Sequence, residues 1–539
     1  MRLRPGVLVL GDLFAAPGSS GVSRAASPAT AAAAARDLAA SGWGRYVALL
    51  AGAEDDLPSI FRDPSGAVDA ITWTAGRVAA ASNDIRGLPA GFAPDALALD
   101  WDVITDFIRR PLSATYRLGL TGYHTVTPGD LQPLGAPGSC ATPIWRPQDH
   151  AANVEAPDAA HQLPQVLRHC VQAMADAEPA LVEVSGGLDS AVVAAALGEA
   201  GRGTLLGLNY YGDRAEGDER RWARMVCERA GFPLLEHPKP VTPVVEADFA
   251  AFAACARPAL NALDPDRDRH TAALAEATGA SAIFTGNGGD ALFFQHPTPL
   301  VAADYRRWRG RTGPKDPVLQ EMARWLRRSV WSVQRHSRQG FAEPAASPLW
   351  GARARDAVAA PAHGWLAGGH DLPPAKSLQV QLIAASQAAF GVCRRGAAAD
   401  LRHPLLSQPV MELCLAIPTW QHVAGGQDRA LVRRAFSGAL PDEVLQRRSK
   451  GALTSLYTRR AAASLEFLRA HLLDGVLVEA EVLDRRALDE ALQADRLIWR
   501  ADGARVMGAA MVESWVRRWQ GVAPDLARAA RHPPRSVLV

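Results

Sequence analysis

The sequence predicts an α/β protein in which a layered β domain precedes a doubly wound parallel sheet and a helical C-terminal part. In the first 150 residues, short apolar runs recur between turn signals, which is typical of antiparallel strands. From about residue 151, strands alternate with helices, which is typical of a parallel sheet. Residues 131–164 are rich in Pro, Gly, Ala and Asp, and such a change in composition marks a boundary. We therefore predict two domains, residues 1–150 and 151–539.

The first domain is predicted to contain a sandwich-like or layered sheet. An alanine-rich stretch, residues 28–40, is expected to form a helix with Ser27 as its N-cap and Pro28 as its first residue. The expected strands are residues 7–10, 46–50, 68–73 and 123–126.

The second domain is predicted to begin with four strands and the helices between them. Helices are expected at residues 191–200 and 218–230, and the chain after about Tyr305 is expected to be mainly helical. The expected strands are residues 181–184, 204–209, 232–235 and 281–285.

Composition excludes several classes of protein. The chain has 58 basic and 56 acidic residues, and this balance argues against a general nucleic-acid binder. No stretch of about 18 apolar residues predicts a membrane span, and no signal peptide is recognised, so we expect a cytoplasmic protein. Six widely spaced cysteines match neither a zinc site nor a disulfide framework, and we expect reduced, mostly buried thiols.

The strongest motif is SGGLDS, which begins at Ser185 between a predicted buried strand and an apolar helix. Backbone N–H groups at a helix N-terminus are unpaired and favour an anion. Gly186 and Gly187 let the backbone approach a phosphate, and the hydroxyls of Ser185 and Ser190 are additional donors. Asp189 is explained by a Mg²⁺ ion held between its carboxylate and phosphate oxygens. The motif lacks the lysine of the GxxxxGK[ST] loop, so it predicts a different phosphate loop.

A second glycine-rich motif follows the predicted strand at residues 281–285. It places Gly286, Gly288, Gly289 and Asp290 at the carboxyl end of that strand, where open parallel sheets bind ligands. Asp290 is the candidate for a second carboxylate that holds Mg²⁺ and pyrophosphate.

The two motifs together resemble the asparagine synthetase family, and the SGGLDS loop resembles that of the wider ATP-pyrophosphatase (adenine nucleotide alpha hydrolase-like) superfamily. Residues 400–407 are similar to one further stretch of the family, residues 428–441 together with 448–451 are similar to another, and residues 61–66 are similar to its glutaminase domain, an Ntn-type fold. The resemblance implies cleavage of ATP between the α and β phosphates, with Mg²⁺, and transfer of AMP to a carboxylate. The predicted nucleotide-binding residues are Ser185, Gly186, Gly187, Asp189, Ser190, Leu208, Gly286, Gly288 and Gly289, and the predicted metal ligands are Asp189 and Asp290.

The sequence departs from the family at three informative positions. Residue 2 is Arg2, where glutamine-dependent members need a nucleophilic cysteine, and the first cysteine is Cys140. We therefore expect the glutaminase-like domain to be inactive and ammonia from glutamine not to be the nucleophile. Asp400 replaces a family glutamate, and no tyrosine precedes it to complete the Tyr–Glu pair of β-lactam synthetase. These differences argue against β-lactam formation.

The remaining pattern is similar to the lasso peptide cyclase branch of the family. This resemblance implies adenylation of an Asp or Glu side chain in a precursor peptide and attack by the peptide's own N-terminal amine, which closes a macrolactam ring. Lys450, at the family's lysine position, and Asp400 are the predicted catalytic residues. The implied partners are the precursor peptide, a leader peptidase and a leader-binding protein.

Two other functions stay open at this stage. One is a small-molecule amide ligase, such as an ammonia-dependent asparagine synthetase or a β-lactam-forming relative, and the other is a non-catalytic nucleotide-binding scaffold. Arg402 is either a structural arginine or a nucleotide contact. Residues 305–338, rich in Arg and Trp, either contact a peptide or partner or form a solvated helical face with core tryptophans; the second interpretation is favoured.

Overall fold

The first part of the chain forms two packed sheets with a helix on the outer face. The strands are β1 (Arg2–Arg4), β2 (Val7–Ala15), β3 (Gly42–Leu50), β4 (Ser59–Arg62), β5 (Ile71–Ala75), β6 (Val78–Ser82), β7 (His124–Thr125), β8 (Asp130–Pro133) and β9 (Thr142–Pro143). In the six-stranded sheet the strand order is β1-β2-β3-β4-β8-β9, and in the three-stranded sheet it is β6-β5-β7. A computed structural model describes residues 2–19, 21, 30–51, 58–111, 117–135, 141–151, 158–175, 178–201, 203–214, 217–310, 312–338, 346–358, 363–367, 372–448, 453–500 and 502–531.

Alternation along β3 explains the layering. Tyr46 and Ala48 pack in a core with the helix Ala31–Ser41, whereas Val47 packs in a separate core with Val126 beside the small sheet. Successive side chains of a strand point to opposite faces, so one strand contributes to both cores. The layered sheet predicted for this part of the chain is therefore present.

The first helix starts later than the sequence suggests. Thr30 is its N-cap, and the Thr30 side chain accepts a hydrogen bond from the N–H of Ala33. The helix runs over Ala31–Ser41 and not over residues 28–40 as predicted, and both Ser27 and Pro28 lie outside the described residues. Threonine and serine are both good N-caps, and the two candidates are only three positions apart, so the sequence gives no signal to choose between them.

The second part contains a five-stranded parallel sheet in the order β12-β11-β10-β13-β14. The order reverses at β10, so β10 and β13 flank the switch point at which doubly wound sheets bind ligands. The strands are β10 (Ala180–Glu183), β11 (Leu205–Tyr211), β12 (Leu234–Pro238), β13 (Ala282–Phe284) and β14 (Asp400–Arg402). The first four lie close to the predicted strands, and β14 was not predicted as a strand.

Helices surround this sheet and make up most of the chain that follows it. The helix Leu188–Ala200 is buried from Leu188 to Leu197, as expected for a helix that is apolar on all sides. Other helices before the sheet's last strand are Trp101–Arg109, Pro147–His150, Ala159–Met174, Arg220–Ala230, Glu246–Ala250, Pro265–Thr278, Gly289–Leu292, Leu300–Arg309, Pro317–Leu326, Val330–His336, Ala352–Asp356, Pro374–Ser386 and Arg394–Ala398. Those after it are Gln408–Ala416, Thr419–His422, Ala430–Ala435, Asp442–Gln446, Leu453–Ala463, Leu465–Leu472, Val476–Glu479, Arg485–Ala491, Ala494–Arg500 and Gly503–Arg531.

Aromatic side chains join the two parts of the chain. Phe107 meets Trp515 edge-on with ring centroids 6.3 Å apart, and Trp145 lies 5.5 Å from Trp365. The indole N–H of Trp145 also donates to the Glu412 carboxylate over 2.7 Å. The N-terminal sheets therefore lie directly against the helices around the parallel sheet.

Among the described residues, no helix is both long enough and apolar enough to cross a membrane.

Candidate active site

The SGGLDS segment forms a tight loop between β10 and the helix Leu188–Ala200. The backbone N–H of Ser185 donates to the hydroxyl oxygen of Ser190 over 3.1 Å, and the N–H of Gly187 donates to that of Ser185 over 3.3 Å. Gly186 has a φ of +80°, and a Cβ there would lie 2.8 Å from the carbonyl oxygen of Glu219. The loop is fixed by its own hydroxyls, with the amino end of a buried helix directly behind it.

The second glycine motif packs against the first. A Cβ on Gly286 would lie 2.5 Å from the backbone nitrogen of Ser190, and a Cβ on Gly289 would lie 2.5 Å from the Cβ of Asp189. These glycines are therefore required for contact between the two loops. Gly288 has a φ of +93°, and a Cβ there would overlap the Leu406 side chain. The structure thus brings the two predicted motifs together at the switch point of the sheet.

Asp189 and Asp290 meet at the guanidinium of Arg429. One terminal nitrogen of Arg429 lies 3.2 and 3.1 Å from the two carboxylate oxygens of Asp189 and 3.8 Å from an oxygen of Asp290. The Nε of Arg429 also lies 2.7 Å from the Asp428 carboxylate. Burial opposes the charge of Arg429, but the attraction of Asp189 and then Asp428 outweighs it and raises the pKa of the guanidinium.

Two glycine loops with converging carboxylates lie at the switch point of the parallel sheet. This geometry is consistent with the protein family that the sequence matches. The family described as asparagine synthase matches residues 162–517, more than half of the chain. The chain belongs to the asparagine synthase family. Membership identifies it as an ATP-dependent, AMP-forming amide ligase, and the family uses ATP, usually with Mg²⁺. No curated protein matches the sequence at a significant level.

The two carboxylates fit the magnesium ion that this family usually uses. Asp189 and Asp290 already lie within 4 Å of the same cationic nitrogen, so a cation between them has two oxygen donors. Among the described residues, no group of three or more His, Cys, Asp or Glu side chains is placed to hold a metal ion. Magnesium is usually held by one or two carboxylates together with substrate phosphates, so a two-carboxylate site is sufficient.

Arg429 was not singled out from the sequence as a site residue. Its φ of +51° lies in the left-handed region, which is uncommon for a residue with a side chain. The Arg433 guanidinium lies 3.0 Å from the Asp428 carboxylate and so supports the same loop. The only available signal was the family-like stretch in which Arg429 occurs, because its contact with Asp189 spans 240 residues.

Arg447 also contacts the SGGLDS loop, and it was not singled out from the sequence either. It donates to the carbonyl oxygen of Gly186 over 2.9 Å and forms an ion pair with Glu219. Its guanidinium carbon lies 3.9 Å from the centre of the Trp222 ring, a cation–π contact. Arg447 therefore connects the loop to the helix Arg220–Ala230. The predicted catalytic residue Lys450 lies outside the described residues.

Asp400 lies far from the two glycine loops. It is paired with Ala282 at the start of β13, whereas Gly286 follows four residues later beyond the strand's end. At a rise of about 3.3 Å per residue, Asp400 is about 13 Å from the level of that loop. The Asp400 carboxylate accepts hydrogen bonds from Arg45 over 2.8 and 2.6 Å and from Arg402 over 2.9 Å.

These contacts favour a structural role for Asp400 over the catalytic role that the sequence predicts. Burial raises the pKa of its carboxyl group, but the bonds and charges of Arg45 and then Arg402 outweigh this and lower the pKa. A carboxylate with a lowered pKa is a weak proton acceptor. Arg402 is buried and also donates to the carbonyl of Met174, which favours the structural alternative for this residue.

Leu208 lies in β11 opposite Glu183, the last residue of β10. Its side chain is buried, and its carbonyl oxygen accepts a hydrogen bond from the N–H of Val184 over 2.9 Å. Leu208 therefore lies next to the strand that enters the phosphate loop, and its predicted contact with the nucleotide stays a prediction.

Two cavities lie near the parallel sheet. One, of about 750 Å³, opens beside Asp290 and Arg429 and extends to Trp325. The other, of about 580 Å³, lies between the N-terminal sheets and the synthase part and is lined by residues such as Asp400 and Arg257. Both volumes are in the range of ligand pockets, but only the first is lined by Asp290 and Arg429.

Proposed function

We propose that this ligase is a lasso peptide cyclase, which adenylates an Asp or Glu side chain of a precursor peptide and joins it to the peptide's N-terminal amine. The observation that carries the proposal is the convergence of Asp189 and Asp290 on Arg429 at the switch point, beside a cavity of about 750 Å³. A cavity of this size accommodates a substrate larger than a free amino acid.

In the first step, a carboxylate oxygen of the peptide attacks the α-phosphorus of ATP, and the bond to pyrophosphate breaks. The backbone N–H groups in the first turn of the helix Leu188–Ala200, which follows the loop at residues 185–187, bind phosphate oxygens as charge builds on them. Asp189 and Asp290 would hold Mg²⁺, which neutralises phosphate charge when it is bound. Arg429 then has phosphate oxygens as alternative partners to the two carboxylates.

In the second step, the peptide's amine nitrogen attacks the acyl carbon, the bond to AMP breaks, and the amine loses a proton. Lys450 is the proposed donor to the oxyanion or to the α-phosphate. Holding the amine close to the acyl-adenylate gives effective molarities of roughly 10⁵–10⁸ M for well-placed groups. The enzyme's main contribution to ring closure is therefore the position of the folded peptide.

The chemistry of the described cysteines supports an amine that does not come from glutamine. Burial raises the pKa of the Cys170, Cys227 and Cys414 thiols to about 12, and that of Cys255 to about 11. Burial also raises the pKa of Cys393. Thiols with such pKa values are not thiolate nucleophiles at neutral pH.

The proposed division of the chain remains residues 1–150, as an inactive glutaminase-like domain, and residues 151–539, as the synthase domain. We further propose that the enzyme is cytoplasmic and acts with a leader peptidase and a leader-binding protein. Neither nucleic acid nor a membrane is expected as a partner.

The test is incubation of the protein with ATP, Mg²⁺ and a short precursor peptide encoded beside its gene, followed by mass spectrometry. We expect a product that has lost one water, together with one AMP per product. A matched peptide with Asn or Gln in place of the acceptor Asp or Glu should give neither. Formation of asparagine from free aspartate and ammonia, without peptide cyclisation, would contradict the proposal and favour a small-molecule ligase.

A further inference from the structure

The helices between Leu300 and His336 have a strong excess of positive charge. Residues 300–338 contain ten Lys and Arg residues but three acidic residues, whereas the whole chain has a net charge of +2. Asp304 accepts hydrogen bonds from the N–H groups of Ala375 and Lys376. Asp316 caps the helix Pro317–Leu326. The carboxylates of Asp304 and Asp316 therefore accept hydrogen bonds from backbone N–H groups.

Glu321, the third acid, joins this basic segment to the active site. Its carboxylate accepts the N–H of Gly425 over 2.8 Å. A Cβ on the next residue, Gly426, would lie 3.4 Å from the Cβ of Arg324. Arg429, whose guanidinium contacts Asp189, follows Gly426 by three residues. At most about 11 Å of extended chain therefore separates Gly426, beside Arg324, from Arg429.

Two arginines of this segment face the cavity that is also lined by Asp290 and Arg429. Arg324 and Arg327, with Trp325, line the cavity of about 750 Å³ that opens beside Asp290. Both arginines are exposed, and within the described part of the chain neither forms an ion pair with an acid. Arg327 is the C-cap of its helix in a left-handed conformation, with a φ of +51°, which turns the chain at the cavity rim.

We propose that Arg324 and Arg327 form a carboxylate-binding subsite for the peptide substrate, distinct from the position of the carboxylate that is adenylated. The inference rests on the proposed function and names the chemistry of its substrate: a peptide with a second negative group, either an acidic side chain or its C-terminal carboxylate. The planar guanidinium matches a carboxylate in two-point hydrogen bonding, and Trp325 adds an apolar surface to the same cavity. The phosphates of ATP are already provided for at the Ser185–Gly187 loop.

The experiment measures binding of two dansyl-labelled decapeptides by fluorescence anisotropy in low salt, with Mg²⁺ and α,β-methylene-ATP present. One peptide alternates Gly and Glu with an amidated C-terminus, and the other alternates Gly and Gln. A third, Gly–Gln with its terminal carboxylate, separates the two sources of negative charge. The full-length protein is compared with the Arg324→Gln/Arg327→Gln double variant. The matched control is Arg328→Gln, an exposed arginine that does not line the cavity.

We expect the wild type to bind at least one carboxylate-bearing peptide about tenfold more tightly than the amidated Gly–Gln peptide. The double variant should lose this difference, and the Arg328→Gln protein should keep it. Affinity for α,β-methylene-ATP should be the same in all three proteins. Equal binding of all peptides by the wild type would overturn the proposal, and so would an equal loss in the Arg328→Gln control. A fall in nucleotide affinity would instead assign the two arginines to the triphosphate. Binding is measured without turnover, so failure of cyclisation would be a separate result.

Discussion

The two charged sites near the parallel sheet are built from the same residue types in opposite arrangements. At the two glycine loops, Arg429 lies between the carboxylates of Asp189 and Asp290 and also pairs with Asp428. At the contact with the N-terminal sheets, one carboxylate, Asp400, lies between two arginines, Arg45 and Arg402. Converging carboxylates attract a further cation, whereas a carboxylate between two arginines is already satisfied. We therefore propose that the first site is the catalytic one, whereas the second connects the two parts of the chain.

A second acidic side chain between the two parts of the chain, Asp69, also lies between two arginines. Asp69 lies 3.2 Å from Arg62 and 2.9 Å from Arg257. Burial raises the pKa of Asp69, but the charges of Arg257 and then Arg62 outweigh it and lower the pKa. Arg62 comes from the N-terminal sheets and Arg257 from the synthase part, so this carboxylate also bridges the two parts.

The largest expected effect is that of Asp189→Asn. The change preserves shape but removes the negative charge that pairs with Arg429 and would hold Mg²⁺, so pyrophosphate release should fall by at least about 10³-fold. Near-ultraviolet circular dichroism should stay unchanged. Asp474→Asn, at a side chain that is 81 % exposed, is the control and should keep full activity. Pyrophosphate release close to that of the wild type by a folded Asp189→Asn protein would contradict the assignment.

The next largest effect is expected for Gly289→Ala. Its Cβ would lie 2.5 Å from the Asp189 Cβ, so the two loops must separate, and a shift of about 1 Å at a reacting site can cost about 10²-fold in rate. Gly438→Ala is the control, because a Cβ at Gly438 meets nothing within 4 Å. Steady-state adenylation kinetics measure the difference, and equal rates for the two variants would argue against contact between the loops.

Arg447→Gln should have a moderate effect. It removes the donor to the Gly186 carbonyl and the cation over Trp222, which loosens the phosphate loop without touching the carboxylates. We expect the KM for ATP to rise about tenfold, equivalent to about 1.4 kcal/mol, with kcat changed less. Arg486→Gln, at a side chain that is 91 % exposed, is the control. A large fall in kcat at constant KM would instead place Arg447 in the chemical step.

The smallest effect on catalysis is expected for Asp400→Asn. Adenylation should stay within about threefold of the wild type, while Tm should fall by about 1–3 °C at pH 7 because the pairs with Arg45 and Arg402 are weakened. The pKa of Asp400 is lowered in the fold, so its contribution is present above the unfolded pKa of about 3.9 and is lost as the pH falls through the folded pKa. The Tm difference should therefore shrink as the pH falls below the unfolded pKa and disappear once the pH is below the folded pKa. A loss of adenylation comparable to that of Asp189→Asn would restore the catalytic assignment.

The strands of the synthase part and the position of the SGGLDS loop could be predicted from sequence because their signals are local. β10, β11 and β13 are apolar runs that end in glycine turns, and they lie within about two residues of the predicted bounds. β14, Asp400–Arg402, has no apolar run and is a strand because it pairs with β13. β3 is longer than predicted since Gly42 and Gly44, which are uncommon in strands, allow close approach to β2.

The charged partners of the site could not be predicted, for a different reason. Arg429 and Arg447 reach the phosphate loop from 240 and 261 residues away, and no periodicity or spacing encodes such contacts. For Asp400, the family resemblance suggested a catalytic role, whereas its place in the sheet depends on strand register, which the sequence alone does not determine.

The most direct test of the two-carboxylate site is a crystal structure of the protein with Mg²⁺ and α,β-methylene-ATP. We predict the triphosphate on the Ser185–Gly187 loop, a metal ion in contact with Asp189 and Asp290, and the Arg429 guanidinium moved from the carboxylates to a phosphate oxygen. A nucleotide bound in the cavity beside Asp400, with Arg429 still bridging the two carboxylates, would contradict the account.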